Sequence, residues 1–446
     1  MGFIDFILFP LYVLFFHLIF SWRRKRISDP LLKKYHRQGF WIKVFGALAF
    51  TVFHGLISPG NDSVGLFYTE GVNIARLISA DASNIKWLFS PGIDFDQTYL
   101  ADPFNWGYFR SESNYFITRL VAIFSFFSFH NYLVINLFFS MISYSGVWRL
   151  YKFFYEQYPL LHKKLAIAIL YLPTFVFWSS GILKDPICTG MIGWLTYAIY
   201  QAFYKKQSFF KNTIIALVAG YTIAILKSYI IFSYLPFLVI FLVLSNFKLI
   251  RKTRFKIAVA LGLLLMGFAG FFVVADKLQE ELGLLALDKL AESVQSQQKV
   301  FIKMADAAES SFSLGVDFDG SNLSLLKMAP AGIVATFYRP YLWESKKLST
   351  LLSSLESLAL IIYTLAVLLR AGLFHFIKTI LFDPMVFFCF GFSVVFALFV
   401  GTTTLNFGTL VRYKIPCMPF YIIALVLINE ATKQRKSRAK LTLPGQ

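Results

Sequence analysis

"YIIFSYLPFLVIFLVLSNF", residues 229–247, contains no charged side chain and no break except Pro236, and it is followed at once by Lys248, Arg251, Lys252, Arg254 and Lys256. As a helix rising 1.5 Å per residue it would be roughly 28 Å long, close to the ~30 Å of hydrocarbon in a bilayer. Similar runs recur near 3–21, 40–58, 131–149, 165–180, 187–204, 211–226, 255–275, 350–370, 379–401 and 412–430. The whole chain of 446 residues is 57% hydrophobic, 19% aromatic and only 15% charged, with a mean hydropathy of +0.62, too apolar for a water-soluble globule. Lipid gives the backbone no hydrogen-bond partner, so the spans must be helices. The expectation is an all-α, polytopic integral membrane protein with about eleven transmembrane helices in a single membrane domain.

The net charge of +19 is distributed as topology rather than as a binding face. Basic residues fill alternate connections: Arg23 to Arg26 with Lys33, Lys34 and Arg37; Arg149, Lys152, Lys163 and Lys164; Lys205, Lys206 and Lys211; Lys248 to Lys256; Arg370 and Lys378; Lys433 to Lys440. Against these stand the acids Asp29 and Glu156. The positive-inside rule puts these connections in the cytoplasm, with the two long loops, 59–130 and 276–348, outside. The N-terminus is then outside and the C-terminus inside. The 3–21 run has neither a basic leader nor a small-residue cleavage site and reads as a retained anchor. No basic face interleaved with stacking aromatics is present, which argues against nucleic acid. Cys188, Cys389 and Cys417 fall in or beside spans and read as small packing residues.

The chemistry is expected in the membrane and its outer loops. The first loop opens with "SPGNDS", 58–63, which places Asp62 next to the membrane surface, where partial desolvation suits a general base. The alternative for Asp62 is a solvated acid or a helix cap. Residues 114–129 read as an interfacial or re-entrant helix whose Arg119 meets a headgroup. In "SSGILKDPIC", 179–188, Lys184 and Asp185 precede Pro186 at an expected helix start. Asp185 is either an N-cap or one half of an anion site beside a carboxylate. Lys227 is placed at an outer hairpin between two spans; Arg339 and Glu344 in "FYRPYLWESKK", 337–347; Arg412 and Lys414 in "NFGTLVRYKIPCMPF", 406–420. Each cation alone is readable as a snorkelling residue, but together they suit a phosphate. "GVDFDGSN", 315–322, lacks the closing glutamate of a calcium loop and reads as a turn.

The order "SPGNDS", "VWRLYKFF" (147–154), "KKLAIAILYLPTFVFWSSGILKDP" (163–186) and "ALVAGYTIAILKSY" (216–229) resembles the GT-C superfamily of membrane glycosyltransferases, over roughly residues 40–245. The resemblance implies a sugar moved from a polyprenyl-phosphate or polyprenyl-pyrophosphate donor on the outer face of a bacterial cytoplasmic membrane. It makes Asp62 the catalytic base or a metal-proximal acid, Asp185 a second acid, and Lys227 a donor-phosphate contact, joined by Lys184, Arg339, Arg412 and Lys414. No cofactor is required beyond a possible divalent cation. The chain departs from the pattern in lacking an acidic pair at Asp62 and in carrying an extra first span. "TFYRPYLWE" (336–344) and 406–420 look more like O-antigen polymerase-type envelope proteins, which use the same kind of donor to polymerise. Two other classes stay open: a transporter of a lipid-linked anion, which would show broken helices and inverted repeats, and a non-enzymatic envelope scaffold.

Overall fold

Short polar start signals set where the long helices begin. In the computed structural model Asp29 caps α2 (Pro30–Val52), its carboxylate accepting from the amides of Leu31 at 2.7 Å and Leu32 at 3.3 Å, with Pro30 in the first position. Asp383 and Pro384 repeat this device, and Asn131 accepts from the Val134 amide at 3.0 Å. The Tyr155 hydroxyl donates to Asp29 at 2.5 Å and is the main reason this carboxyl sits below its ordinary range.

The structure describes residues 3–57, 61–246, 312–316, 322–345 and 348–441, with isolated residues 262, 295 and 298. All regular elements among them are helical. Among the described residues six helices are long and apolar enough to cross a membrane: Ile4–Lys25, Pro30–Ile57, Tyr132–Gln157, Phe209–Ser245, Thr350–Ala371 and Pro384–Thr403. A bent pair, Phe407–Tyr413 with Met418–Arg438 at 63°, is a seventh if taken as one span. This is a helical membrane protein. The expected 255–275 span, most of the second long loop and the acids of 315–322 lie outside the described residues. All three cysteines are free and buried, as packing residues should be.

Two compact units divide the chain, Met1–Ser228 and Tyr229–Gln446. The first contains α1 (Phe3–Lys25), α2, α3 (Thr69–Ala80), α4 (Trp106–Phe109), α5 (Glu112–Ser128), α6 (Tyr132–Gln157), α7 (His162–Ile169), α8 (Pro173–Trp178), α9 (Lys184–Ile199) and the start of α10 (Phe209–Asn246). Its centre is the crossing of α6 with α9, where Gly146 meets Gly190 and Gly193 backbone to backbone: a Cβ on Gly146 would lie 1.8 Å from the Gly190 carbonyl oxygen. Small residues let membrane helices approach this closely.

The first long loop folds as a helical cap with its own core of Ile74, Trp87, Phe95, Phe109 and Tyr115. Fully buried Glu70 orders its far side, accepting from the amides of Ala101 (3.0 Å) and Asp102 (3.1 Å) and from Asn105 Nδ2 (2.8 Å). Glu70→Ala is expected to destabilise the cap by about 1–3 kcal/mol, because three donors lose their acceptor; faster amide exchange confined to residues 97–105 is the check. Arg119 does not face a headgroup as expected. It pairs with Glu112 at 2.8 Å, donates to the Ser90 carbonyl at 2.7 Å and lies over the Tyr115 ring. Burial pushes the Tyr115 phenol up to about 12, so it remains the donor to the Trp87 carbonyl at any physiological pH.

In the second unit α11 (Asn322–Tyr338) crosses α14 (Pro384–Thr403) through Gly332 and Gly401, again with backbone contact. Helices α12 (Leu348–Ala371), α13 (Leu373–Phe382), α15 (Phe407–Tyr413) and α16 (Met418–Leu441) complete it.

Candidate functional site

The stretches 165–180 and 187–204, expected as two full spans, form a helical hairpin with a buried tip. Contacts give its course. Tyr35 meets His162 at 2.7 Å, Tyr171 donates to Gln38 at 2.8 Å and Lys43 reaches Ser179 at 2.5 Å, so α7 and α8 run in the direction of α2. Helix α9 then runs in the direction of α6, through Ser143 with Thr189 (3.2 Å), Trp194 with Ser145 (3.0 Å), Lys152 with Tyr197 (2.7 Å) and Lys205 with Glu156 (3.8 Å). At the tip Gly181 lies against Phe50, roughly 10 Å before Ile57 by the helical rise.

Buried non-helical backbone must be satisfied by protein. Midway along α2, Lys43 does much of this. Its buried Nζ donates to the Ser179 carbonyl (2.5 Å), Ser179 Oγ (2.5 Å), Ser143 Oγ (3.1 Å) and Ser180 Oγ (3.3 Å). Asn136 on α6 accepts from the Ile182 amide at 2.8 Å and donates to Thr51 at 2.9 Å. Ser143 hands the network on to Thr189, which donates to the Asp185 carbonyl at 2.9 Å.

Asp185 is not the N-cap of α9. That position is Leu183, with no side-chain cap bond, and α9 begins at Lys184. The Asp185 carboxylate is fully buried and accepts from Lys227 Nζ at 2.5 Å. Nor does Lys227 sit on a hairpin loop. It is a single non-helical residue (φ −154°, ψ 80°) inside α10, where the expected runs 211–226 and 229–247 meet. Lys184, next in sequence to Asp185, points elsewhere and donates to Ser113 Oγ of the cap at 2.7 Å.

Asp62 lies exposed in the first turn of a π-helical segment, Asp62–Tyr68, capped by Asn61 rather than by itself. Ser63 beside it bonds the Tyr132 hydroxyl at 2.8 Å, one helical turn before Asn136. Asp62 therefore stands at the same end of α6 as the hairpin tip, with Lys184, Asp185 and Lys227.

The remaining candidates belong to the second unit. Arg339 grips Glu344 with both sides of its guanidinium, donates to the Ser313 carbonyl at 2.8 Å and packs on the Phe312 ring at 4.2 Å. Buried Lys414, in the break between α15 and α16, donates to the Arg339 carbonyl (3.0 Å) and Ser357 Oγ (3.3 Å). Arg412 lies over the Tyr413 ring at 5.7 Å. Among the described residues no group of three or more His, Cys, Asp or Glu side chains is placed to hold a metal.

Sequence reasoning missed Lys43, Asn136 and the Ser179–Ser180 pair. The signal for Lys43 was a lysine inside the 40–58 run, since an ionisable residue within a span is costly and marks a site by default. Comparison with protein-family models, with curated proteins and with solved structures found no match.

Proposed function

We propose that the protein is a membrane glycosyltransferase that moves a sugar from a polyprenyl-phosphate or polyprenyl-pyrophosphate donor to an acceptor hydroxyl, in envelope-glycan synthesis on the outer face of a bacterial cytoplasmic membrane. The supporting observation is the gathering of Asp62, Lys184 and the buried Asp185–Lys227 pair at one end of α6, against the cap. In this reading the acceptor oxygen bonds to the anomeric carbon as the bond from that carbon to the lipid-phosphate oxygen breaks. The acceptor's proton passes to Asp62. The departing phosphate takes Lys227 as its counter-ion, with Lys184 beside it, and Asp185 is released to orient the acceptor. Arg339 and Lys414 already hold partners within the second unit, so the proposal rests on the first unit alone. About eleven crossings are expected, with the N-terminus outside and the C-terminus cytoplasmic. A polymerase of the O-antigen kind, which 336–344 and 406–420 resemble, would use the same kind of donor.

The purified protein in lipid discs is expected to transfer radiolabelled sugar from a panel of polyprenyl-linked donors. Asp62→Asn should lower kcat/KM by about 10²- to 10⁴-fold, the usual contribution of a general base. Wild-type rates in Asp62→Asn would sink the assignment of the base, and no transfer from any donor by the wild type would sink the enzyme. One observation favours a second reading. A hairpin with a non-helical turn, bonded to the buried Lys43, resembles the broken helices of transporters that carry anions. Uptake of a lipid-linked anion into proteoliposomes without sugar transfer would select it.

A further inference from the structure

At the other end of the first unit, where α2 begins, an open groove of about 540 Å³ runs between α2 and α7. Lys34, Arg37 and Lys163 line its outer part, all exposed, and no acid lines it. None of the three is in an ion pair among the described residues. One to two helical turns deeper the lining becomes apolar: Trp41 is 48% and Ile167 57% exposed, with Ile42 between them. The floor is fixed by the bonds from Tyr35 to His162 and from Tyr171 to Gln38, so the groove exists before anything enters it.

The gradient along the groove is what selects the ligand. A soluble anion would satisfy the cations and leave Trp41 and Ile167 as they are; a neutral acyl chain would do the reverse. A molecule with a phosphate at one end and hydrocarbon at the other satisfies both, and basic pockets between membrane helices bind anionic headgroups in this way. We propose that this groove holds one anionic glycerophospholipid, its phosphate against Lys34, Arg37 and Lys163 and an acyl chain along Trp41, Ile42 and Ile167. The site is independent of the glycosyl-transfer reading.

Native mass spectrometry of the delipidated full-length protein tests it, with phosphatidylglycerol, phosphatidylcholine of the same acyl chains, inorganic phosphate and polyprenyl phosphate as probes. Phosphatidylglycerol should bind more tightly than phosphatidylcholine, and the preference should fall about fivefold for each of Lys34→Gln, Arg37→Gln and Lys163→Gln. Ile167→Gln, which leaves the charges intact, should weaken phosphatidylglycerol as well. Equal binding of the two phospholipids by the wild type overturns the proposal, as does a triple variant that keeps the preference. Competition by inorganic phosphate at the same concentration would make it a soluble-anion site, and displacement by a lower concentration of polyprenyl phosphate would make it a donor site; either overturns the assignment.

Discussion

Gly146→Leu is expected to abolish recovery of folded protein. A Cβ at this position would lie 1.8 Å from one backbone oxygen of α9, and the reciprocal Cβ on Gly193 would lie 1.9 Å from the Gly146 carbonyl. Neither contact can be relieved by turning a side chain, so α6 and α9 must separate. The polar links beside the crossing, Ser143 with Thr189 and Trp194 with Ser145, would break with it. The cost should exceed the about 1–3 kcal/mol of ordinary overpacking, where side chains can yield. Even Gly146→Ala should lower the melting temperature clearly. Gly107→Ala is the control, since a Cβ there meets nothing within 4 Å, and it should stay within about 0.5 kcal/mol of wild type. Size-exclusion profiles of fluorescent fusions read all three. A monodisperse, wild-type profile for Gly146→Leu would mean that the helices do not cross as described.

The second large effect is expected at Asp185. Asp185→Ala leaves the Lys227 ammonium buried without this carboxylate, and removal of one partner of a buried pair typically costs about 3–5 kcal/mol. Lys227→Met, which leaves the carboxylate buried instead, should cost a similar amount. The double variant Asp185→Leu with Lys227→Met removes both charges and should recover most of the loss, because apolar replacements of a buried pair are often neutral. Thermal unfolding in detergent measures the cycle. Additive losses in the double variant would show that the 2.5 Å contact carries no coupling. The same proteins separate a structural from a functional pair: the stable double variant should still lack sugar transfer if Lys227 takes the donor phosphate, whereas a purely structural pair would let activity return with stability.

Much of the helical reading was legible because it rests on local rules. Apolar runs of bilayer length announce spans, whereas the starts at Asp29–Pro30 and Asp383–Pro384 lie outside the boundaries read from hydropathy, 40–58 and 379–401. Asp185 and Lys227 stood out in the sequence as charges placed beside apolar runs, but their direct pairing, and the turn of Lys184 away to Ser113, were not readable. The packing of the α7–α9 hairpin was not readable either. Hydropathy reports that residues avoid water, and arms packed against α2 and α6 avoid it as completely as spans in lipid do. Gly190 and Gly193 were the available clue, since two small residues three apart mark a face meant for another helix rather than for lipid. Arg119 was misread for a related reason: Glu112, two turns earlier on the same helix face, already offered it a partner. The role of Lys227 depends on a kink that no neighbouring glycine or preceding proline signals.

Lys43 also constrains how the chain is made. A lysine at the centre of an inserting helix disfavours membrane entry by about 2.5–3.5 kcal/mol, against a gain of about 0.3–0.6 kcal/mol for each Leu, Ile, Phe or Val. The acceptors that offset this cost arrive late: Ser143 lies 100 residues further on and Ser179 lies 136. During synthesis α2 is therefore the weakly held segment of the nascent protein, and it takes its final depth only when α6 and the hairpin tip close around its ammonium group. Biogenesis of the first unit ends, on this account, where its chemistry is proposed to begin, at the turn that carries Ser179 and Asp185.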